Sequence, residues 1–255
     1  MSREMSFDYA GTRVALTIRD MAALKRAVAG RLAAGEGFAV ATLNLDHMVK
    51  LRSDASFRAA YARHELVTAD GHPVAWLARL AGRRVALVPG SDAVLPLARM
   101  AVAEGAPLGL FGSSQVVLDQ VRARLAEELP GLQLVFAEAP PMGFDPDSPE
   151  AEAALLRMRA SGARLVFLAL GAPKQERLAA RGRALVPELG FVSVGAGLDF
   201  LAGGQRRAPR LLRMLSLEWL WRMLGAPRRL APRYARCAAI LPGEARRALA
   251  LRGRD

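Results

Sequence analysis

The 255-residue chain is short of several things, and each shortage narrows its class. A single cysteine, Cys237, makes no intrachain disulfide. The three histidines, His47, His64 and His72, have neither metal-ligand spacing nor cysteine partners, so no metal and no cofactor are expected. No run of about 18 apolar residues occurs, which excludes a helix that spans a bilayer. Residues 1–10 carry Arg3, Glu4 and Asp8 and no apolar stretch. They do not read as a secretory signal, and a cytoplasmic location is expected. The phosphate-binding pattern G-x-x-x-x-G-K-[ST] is missing, and Gly195-Ala196-Gly197 runs into Leu198-Asp199-Phe200 rather than completing G-x-G-x-x-G.

Lysine is also scarce, and the positive charge is carried almost wholly by arginine. The formal net charge is +12 and the isoelectric point about 11.2. Residues 206–255 hold 13 Arg against Glu218, Glu244 and Asp255, a net +10 that leaves the preceding 205 residues nearly neutral. Charge of this kind implies phosphate ligands, an anionic membrane or nucleic acid. No RRM, KH or zinc-finger pattern accompanies it, so no nucleic-acid partner is expected.

What is plentiful is apolar residues, 52% of the chain, enough for a full core. Residues 1–19 read as short strands around the turn Ala10-Gly11-Thr12. Asp20 is placed to cap a helix with apolar positions Met21, Leu24, Val28 and Leu32. Apolar runs at 38–43, 66–68, 108–111, 132–136, 165–170 and 191–194 read as strands. They alternate with helical stretches ending near 63, 128, 159 and 186. Buried strands alternating with helices imply an α/β fold, a Rossmann-like, mostly parallel sheet with helices on both faces. The expected organisation is a catalytic α/β domain over residues 1–203 and an Arg-rich helical appendage over 204–255.

Ligands of such sheets sit beyond the carboxyl ends of the strands. Three strands run into glycine there, at Gly112, Gly171 and Gly195. With Pro173 in its first position, the helix after Gly171 would offer free amides and a positive dipole end to a phosphate. Polar Lys174, Gln175 and Glu176 follow. Asp70, between a strand and a helix, is either a general base or a turn residue capping the helix that begins near Pro73. Thr42 and Asn44, two apart on one strand, point the same way and suit sugar recognition or strand-end capping.

Taken in order, several segments resemble the WecG/TagA/CpsF glycosyltransferase family (glycosyltransferase family 26). They are Thr42-Leu43-Asn44, Ala69-Asp70-Gly71, Pro89-Gly90-Ser91-Asp92, Leu110-Phe111-Gly112, Gly171-Ala172-Pro173-Lys174-Gln175-Glu176, Gly195-Ala196-Gly197-Leu198-Asp199-Phe200, Arg207-Ala208-Pro209 and Glu218-Trp219-Leu220-Trp221-Arg222. The likeness runs from about residue 40 to 235. It implies a metal-independent, inverting transferase that moves a sugar, N-acetylmannosamine or its uronic acid favoured, from a UDP-sugar donor to a polyprenyl-diphosphate-linked sugar acceptor. On matching positions it implies Asp70 as base, Thr42, Asn44 and Gln175 in the sugar pocket, Asp199 at the nucleoside, and Arg222, Arg229 and Arg233 at the diphosphate. Relatives tend to carry Arg just ahead of the stretch at 88–92, where this chain has Leu87; Arg83 and Arg84 lie nearby. Asp145-Pro146-Asp147 has the D-x-D spacing of metal-dependent transferases, but its Pro-rich loop is read as a helix start capped by Asp147 or Ser148.

In the tail, Leu211, Leu212, Leu215, Trp219, Leu220 and Met223 recur at near-helical spacing among Arg210, Arg213 and Arg222. That pattern predicts an interfacial helix on an anionic membrane, at the inner face of the cytoplasmic membrane, with arginines that also complete the site. Two alternatives stay open: a donor such as UDP-glucose in exopolysaccharide assembly, and a non-enzymatic nucleotide- or nucleic-acid-binding module. The sequence does not decide whether the chain forms a homo-oligomer.

Overall fold

A computed structural model describes residues 4–204 and 218–252, the side chains of Glu218, Arg222 and Arg229 excepted. The chain begins with β1 (Met5–Tyr9) and β2 (Thr12–Leu16), an antiparallel hairpin separate from the main sheet. Ala10 and Gly11, with φ of 52° and 81°, close it in the twist that tight hairpins require. Helix α1 (Met21–Ala33) follows, and Asp20 accepts from the amide of Ala23 at 2.7 Å, a cap worth about 1 kcal/mol. Its stripe of Leu24, Val28 and Leu32 is buried, each side chain contributing about 1.5–3 kcal/mol.

The central sheet has six strands in the order β4-β3-β8-β7-β5-β6, and all five pairings are parallel. These strands are β3 (Phe38–Leu43), β4 (Leu66–Ala69), β5 (Leu108–Gly112), β6 (Leu134–Glu138), β7 (Leu165–Ala169) and β8 (Gly190–Ser193). From β3 the chain goes out to β4, crosses to β5 and β6 at the far edge, and returns through β7 to set β8 beside β3. β3, β5, β7 and β8 are buried at every residue, as strands covered on both faces must be. Alternation sorts the side chains. Phe38, Val40, Phe167 and Val192 join one core with α1, α5 (Gly90–Ala103) and α6 (Gln115–Glu128). On the opposite face, Ala39, Val166, Leu168 and Phe191 pack under α7 (Pro149–Ala160) and α8 (Lys174–Leu185). Ala41, Leu43, Val67 and Ala69 pack with the hairpin, α2 (Leu45–Ser53), α3 (Ala55–Tyr61) and α4 (His72–Leu80).

The α/β sheet matches the sequence expectation, with shifts at its margins. β6 begins at Leu134 rather than 132, because residues 129–133 turn out of α6. Helix α5 falls where the sequence reading placed no element. Helix α9 (Gly197–Leu201) is short, and its Gly197 nests against α5: a Cβ there would lie 2.9 Å from Val94 Cγ2 and 3.1 Å from Ser91 Cα.

The described part of the basic tail is α10 (Glu218–Gly225) and α11 (Pro227–Arg252), so the expected helix over 209–224 lies partly outside the described residues. Helix α11 docks on the body. Ile240 and Ala248 join the core beneath the hairpin, and Glu244, fully buried, receives Arg52 Nη2 of α2 at 2.6 Å. Burial and the Glu244 carboxylate push the nearby Tyr9 hydroxyl far above its usual pKa. No helix among the described residues is long and apolar enough to cross a membrane.

Candidate active site

The carboxyl ends of the strands bring together residues that are far apart in sequence. β3 runs into Asn44, which is both strand end and N-cap of α2. Its Oδ1 accepts from the His47 amide at 3.0 Å, and its Nδ2 donates to Asp70 Oδ2 at 3.2 Å. Asp70 follows β4 and stays in register with the sheet, its amide donating to the Leu43 carbonyl at 2.8 Å. The cap of α4 is Gly71, with φ of 86°, and not Asp70. A side chain at Gly71 would be strained by that conformation. Thr42, 6% exposed, pairs in register with Thr68, whose hydroxyl donates to the Val88 carbonyl at 2.7 Å. Leu87 bridges to Ala69, which sets its segment directly beside the end of β4.

Across the sheet, Gly112 ends β5 with φ of 117°, and a Cβ there would stand 2.5 Å from the Ala169 carbonyl oxygen. Only glycine fits. Ser113, itself at φ 56°, donates from its hydroxyl to Asp199 Oδ1 at 3.2 Å, tying the β5 turn to α9. Gly171 and Gly195 also have positive φ, 72° and 55°. Pro173 is the N-cap of α8, one position before the expected site, and Lys174 opens the helix. Lys174 makes no ion pair among the described residues. A cleft of about 430 Å³ opens between α5 and α9, lined by Ser91, Asp92, Arg99, Arg124, Gly197 and Phe200 among others.

Gln175, expected in the sugar pocket, and Glu176, expected beside it among the substrate-binding residues, are both buried. Gln175 is 3% and Glu176 0% exposed. Gln175 Oε1 accepts from the Gly195 amide at 3.1 Å, and its Nε2 donates to Glu176 Oε1 at 2.8 Å. Behind them, His47 Nε2 lies 4.0 Å from Glu176 Oε1, and His47 Nδ1 lies 3.1 Å from the Tyr61 hydroxyl. Burial raises the Glu176 carboxyl to about 7 and lowers the His47 imidazole to about 3, so the histidine is neutral and the contact is no ion pair. The sequence carried a signal for this: Glu176, Ala179, Ala180 and Arg183 stand at helical spacing, so Glu176 is on the stripe of α8 that holds buried Ala179 and Ala180.

Arg233 of α11 meets Asp46 at 3.1 Å, two residues past Asn44, and Lys50 pairs with the same carboxylate. Burial opposes ionisation of Asp46, but the Lys50 hydrogen bond and the charge of Arg233 outweigh it and hold the carboxyl below its ordinary value. Arg233 thus stands at the Asn44–Asp70 end of the strand row. The side chains of Arg222 and Arg229 lie outside the description. In the D-x-D stretch, Asp147 pairs with Arg177, Asp145 braces the turn by accepting from the Asp147 amide at 3.1 Å, and Ser148 caps α7.

One edge of the sheet therefore presents, in strand order, a carboxylate with its amide partner, glycine turns at three neighbouring strands, a lysine at a helix start, and a Ser–Asp pair. From β4 to β5 is four interstrand steps of about 4.8 Å, roughly 19 Å in all. That width lets a carboxylate, a helix start and a Ser–Asp pair address one extended ligand. The family profile described as Glycosyl transferase WecG/TagA/CpsF family matches residues 8–252.

Proposed function

The chain belongs to the WecG/TagA/CpsF glycosyltransferase family, and on that premise we propose that it moves N-acetylmannosamine or its uronic acid from a UDP-sugar to a polyprenyl-diphosphate-linked sugar. The observation that carries the chemistry is Asp70, held at the end of β4 by Asn44, at the same edge of the sheet as the row of glycine turns. Asp70 takes the proton from the acceptor hydroxyl. That oxygen attacks the anomeric carbon from the face opposite the diphosphate, the C–O bond to UDP breaks, and the configuration inverts.

Negative charge then grows on the leaving diphosphate. The amides opening α8, Lys174 and the tail arginines, Arg233 with Arg222 and Arg229, supply the opposing charge. One such contact at about 4 Å is worth roughly 4 kcal/mol at an effective dielectric near 20. Asp199 with Ser113 receives the nucleoside, and Thr42 with Asn44 the sugar.

The appendage brings this site to its lipid-linked acceptor at the inner face of the cytoplasmic membrane. Trp221 and Leu224 on α10 are 41% and 68% exposed, beside a strongly basic tail. Aromatic and apolar residues next to arginines favour an anionic headgroup boundary.

The test is UDP release from a panel of UDP-sugars, with a short-chain prenyl-diphosphate-linked N-acetylglucosamine as acceptor. Acceptor-dependent release with UDP-N-acetylmannosamine or its uronic acid is expected. Release with UDP-glucose alone would replace the proposed donor, and no release with any donor would overturn the assignment.

A further inference from the structure

Seven groups form one polar belt beneath the strand ends. The Gly195 amide donates to Gln175 Oε1, Gln175 Nε2 donates to Glu176 Oε1, and His47 stands 4.0 Å from that same oxygen. Tyr61 closes the ring side of His47, while the His47 backbone amide reaches Asn44 and, through its side chain, Asp70. The belt crosses three neighbouring strands, from the turn after β8 to the end of β4.

Its directionality is forced. A backbone amide only donates, so the Gln175 side chain must turn its carbonyl toward Gly195. Its NH₂ group then needs an acceptor in the protein interior, and Glu176 Oε1 is that acceptor. Glu176 has no exposed surface, and its Oε2 has no hydrogen-bond partner among the described residues. A buried carboxyl left half satisfied is costly, and an apolar residue would serve packing alone at less cost. Packing therefore does not explain the group, whereas the hold on Gln175 does.

We propose that Glu176 is a positioning residue of the transfer reaction: from beneath the strand ends it orients the Gln175 amide, which fixes the Gly195 turn that receives the UDP-sugar. The inference rests on the transferase reading for its kinetic half only. Loss of Glu176 frees the Gln175 amide to rotate, and the Gly195 amide loses its acceptor. Donor binding is weakened, while proton abstraction by Asp70 at the other end of the belt is spared.

Two variants separate acceptor from volume. Glu176→Gln keeps a carbonyl oxygen in place; Glu176→Met keeps the shape and removes the acceptor. Hydrogen exchange at the Gly195 amide is measured first, since it reads the turn whether or not the chain transfers sugar. Exchange is expected to quicken about tenfold in Glu176→Met, as the loss of one hydrogen bond implies, and to stay near wild type in Glu176→Gln. Steady-state rates should then show the donor KM rising about tenfold in Glu176→Met, with kcat and the acceptor KM within about twofold and rescue by Glu176→Gln. Should Glu176→Met not fold, Gln175→Met breaks the adjacent link and is expected to give the same exchange at Gly195. Unchanged exchange at Gly195 in the folded acceptor-less variant overturns the proposal, as does a Glu176→Gln variant that behaves like Glu176→Met. Wild-type enzyme without UDP release, but with the predicted exchange pattern, would fail the transferase reading and leave the positioning role standing.

Discussion

Asn44 reaches Asp70 with its Nδ2 at 3.2 Å while its Oδ1 holds the amide of His47 at 3.0 Å. One side chain thus starts α2 and fixes the carboxylate of the proposed base. Asn44→Asp keeps the cap, since Asp caps as well as Asn, but sets a second carboxylate against Asp70. Like charges at that distance raise the pKa of one of the pair. The acidic limb of the kcat/KM–pH profile should move up by about one unit or more, read from initial rates between pH 5 and 9. An unmoved limb would separate Asp70 from the rate-limiting proton transfer.

Gly112→Ala places a methyl 2.5 Å from the Ala169 carbonyl oxygen at a φ of 117°. Both the contact and the backbone conformation oppose it. A loss of about 1–3 kcal/mol or more is expected in urea unfolding. The same change at Gly105, which has nothing within 4 Å of its added Cβ, meets only the φ penalty and should cost less.

Glu176 ties stability to pH. Burial raises its carboxyl from 4.5 to about 7 in the folded chain. A raised folded pKa means its stability contribution is full below about 4.5 and is lost as pH climbs through about 7. The groups that face it are Asp46, His47 and Lys50 on α2 and Tyr61 on α3, with Arg233 of α11 paired to Asp46. His47, lowered to about 3, works in the opposite sense, its contribution being lost as pH falls from about 6.5 to about 3. The difference between Glu176→Gln and wild type isolates the carboxyl. In thermal melts the variant should gain on wild type by up to about 3 kcal/mol between pH 4.5 and 8, and a pH-independent difference would contradict the raised pKa.

Much of this architecture was legible in the sequence. Five apolar residues and Thr42 between Gly37 and Asn44 marked β3 to the residue, and Asp20 and Ser148 occupy caps that the sequence either named or offered. Helix α5 was not legible. It opens Gly90-Ser91-Asp92 and carries Pro96 inside, so its propensity is poor, and it forms because Ala93, Val94 and Leu97 bury on the sheet. Gly90 lets that helix start close to β8, where a Cβ would lie 2.8 Å from the Ser193 carbonyl oxygen. Helix α11 falls within the expected Arg-rich helical appendage, but its docking on the body was hidden by an arginine-rich face that masked Ile240 and Ala248. At the site, Asp70, Asn44 and the three glycines emerged from strand ends alone. The burial of Gln175 and Glu176 did not, because three polar residues after a glycine turn look solvent-facing until the helix phase is followed to Ala179 and Ala180.

The tail carries a separable prediction. Trp221 on α10 is 41% exposed, so Trp221→Ser should leave the melting temperature unchanged. Binding to anionic vesicles should fall about tenfold, as measured by co-sedimentation, with little change on neutral vesicles. Equal binding by both proteins would remove the aromatic from the membrane contact.

The central claim is that Asp70 removes the acceptor proton, and the direct measurement compares wild type with Asp70→Asn in acceptor-dependent UDP release while UDP-sugar affinity is followed by calorimetry. The account predicts turnover lower by about 10²–10⁴-fold with donor affinity nearly unchanged. Turnover equal to wild type in the folded variant would contradict it.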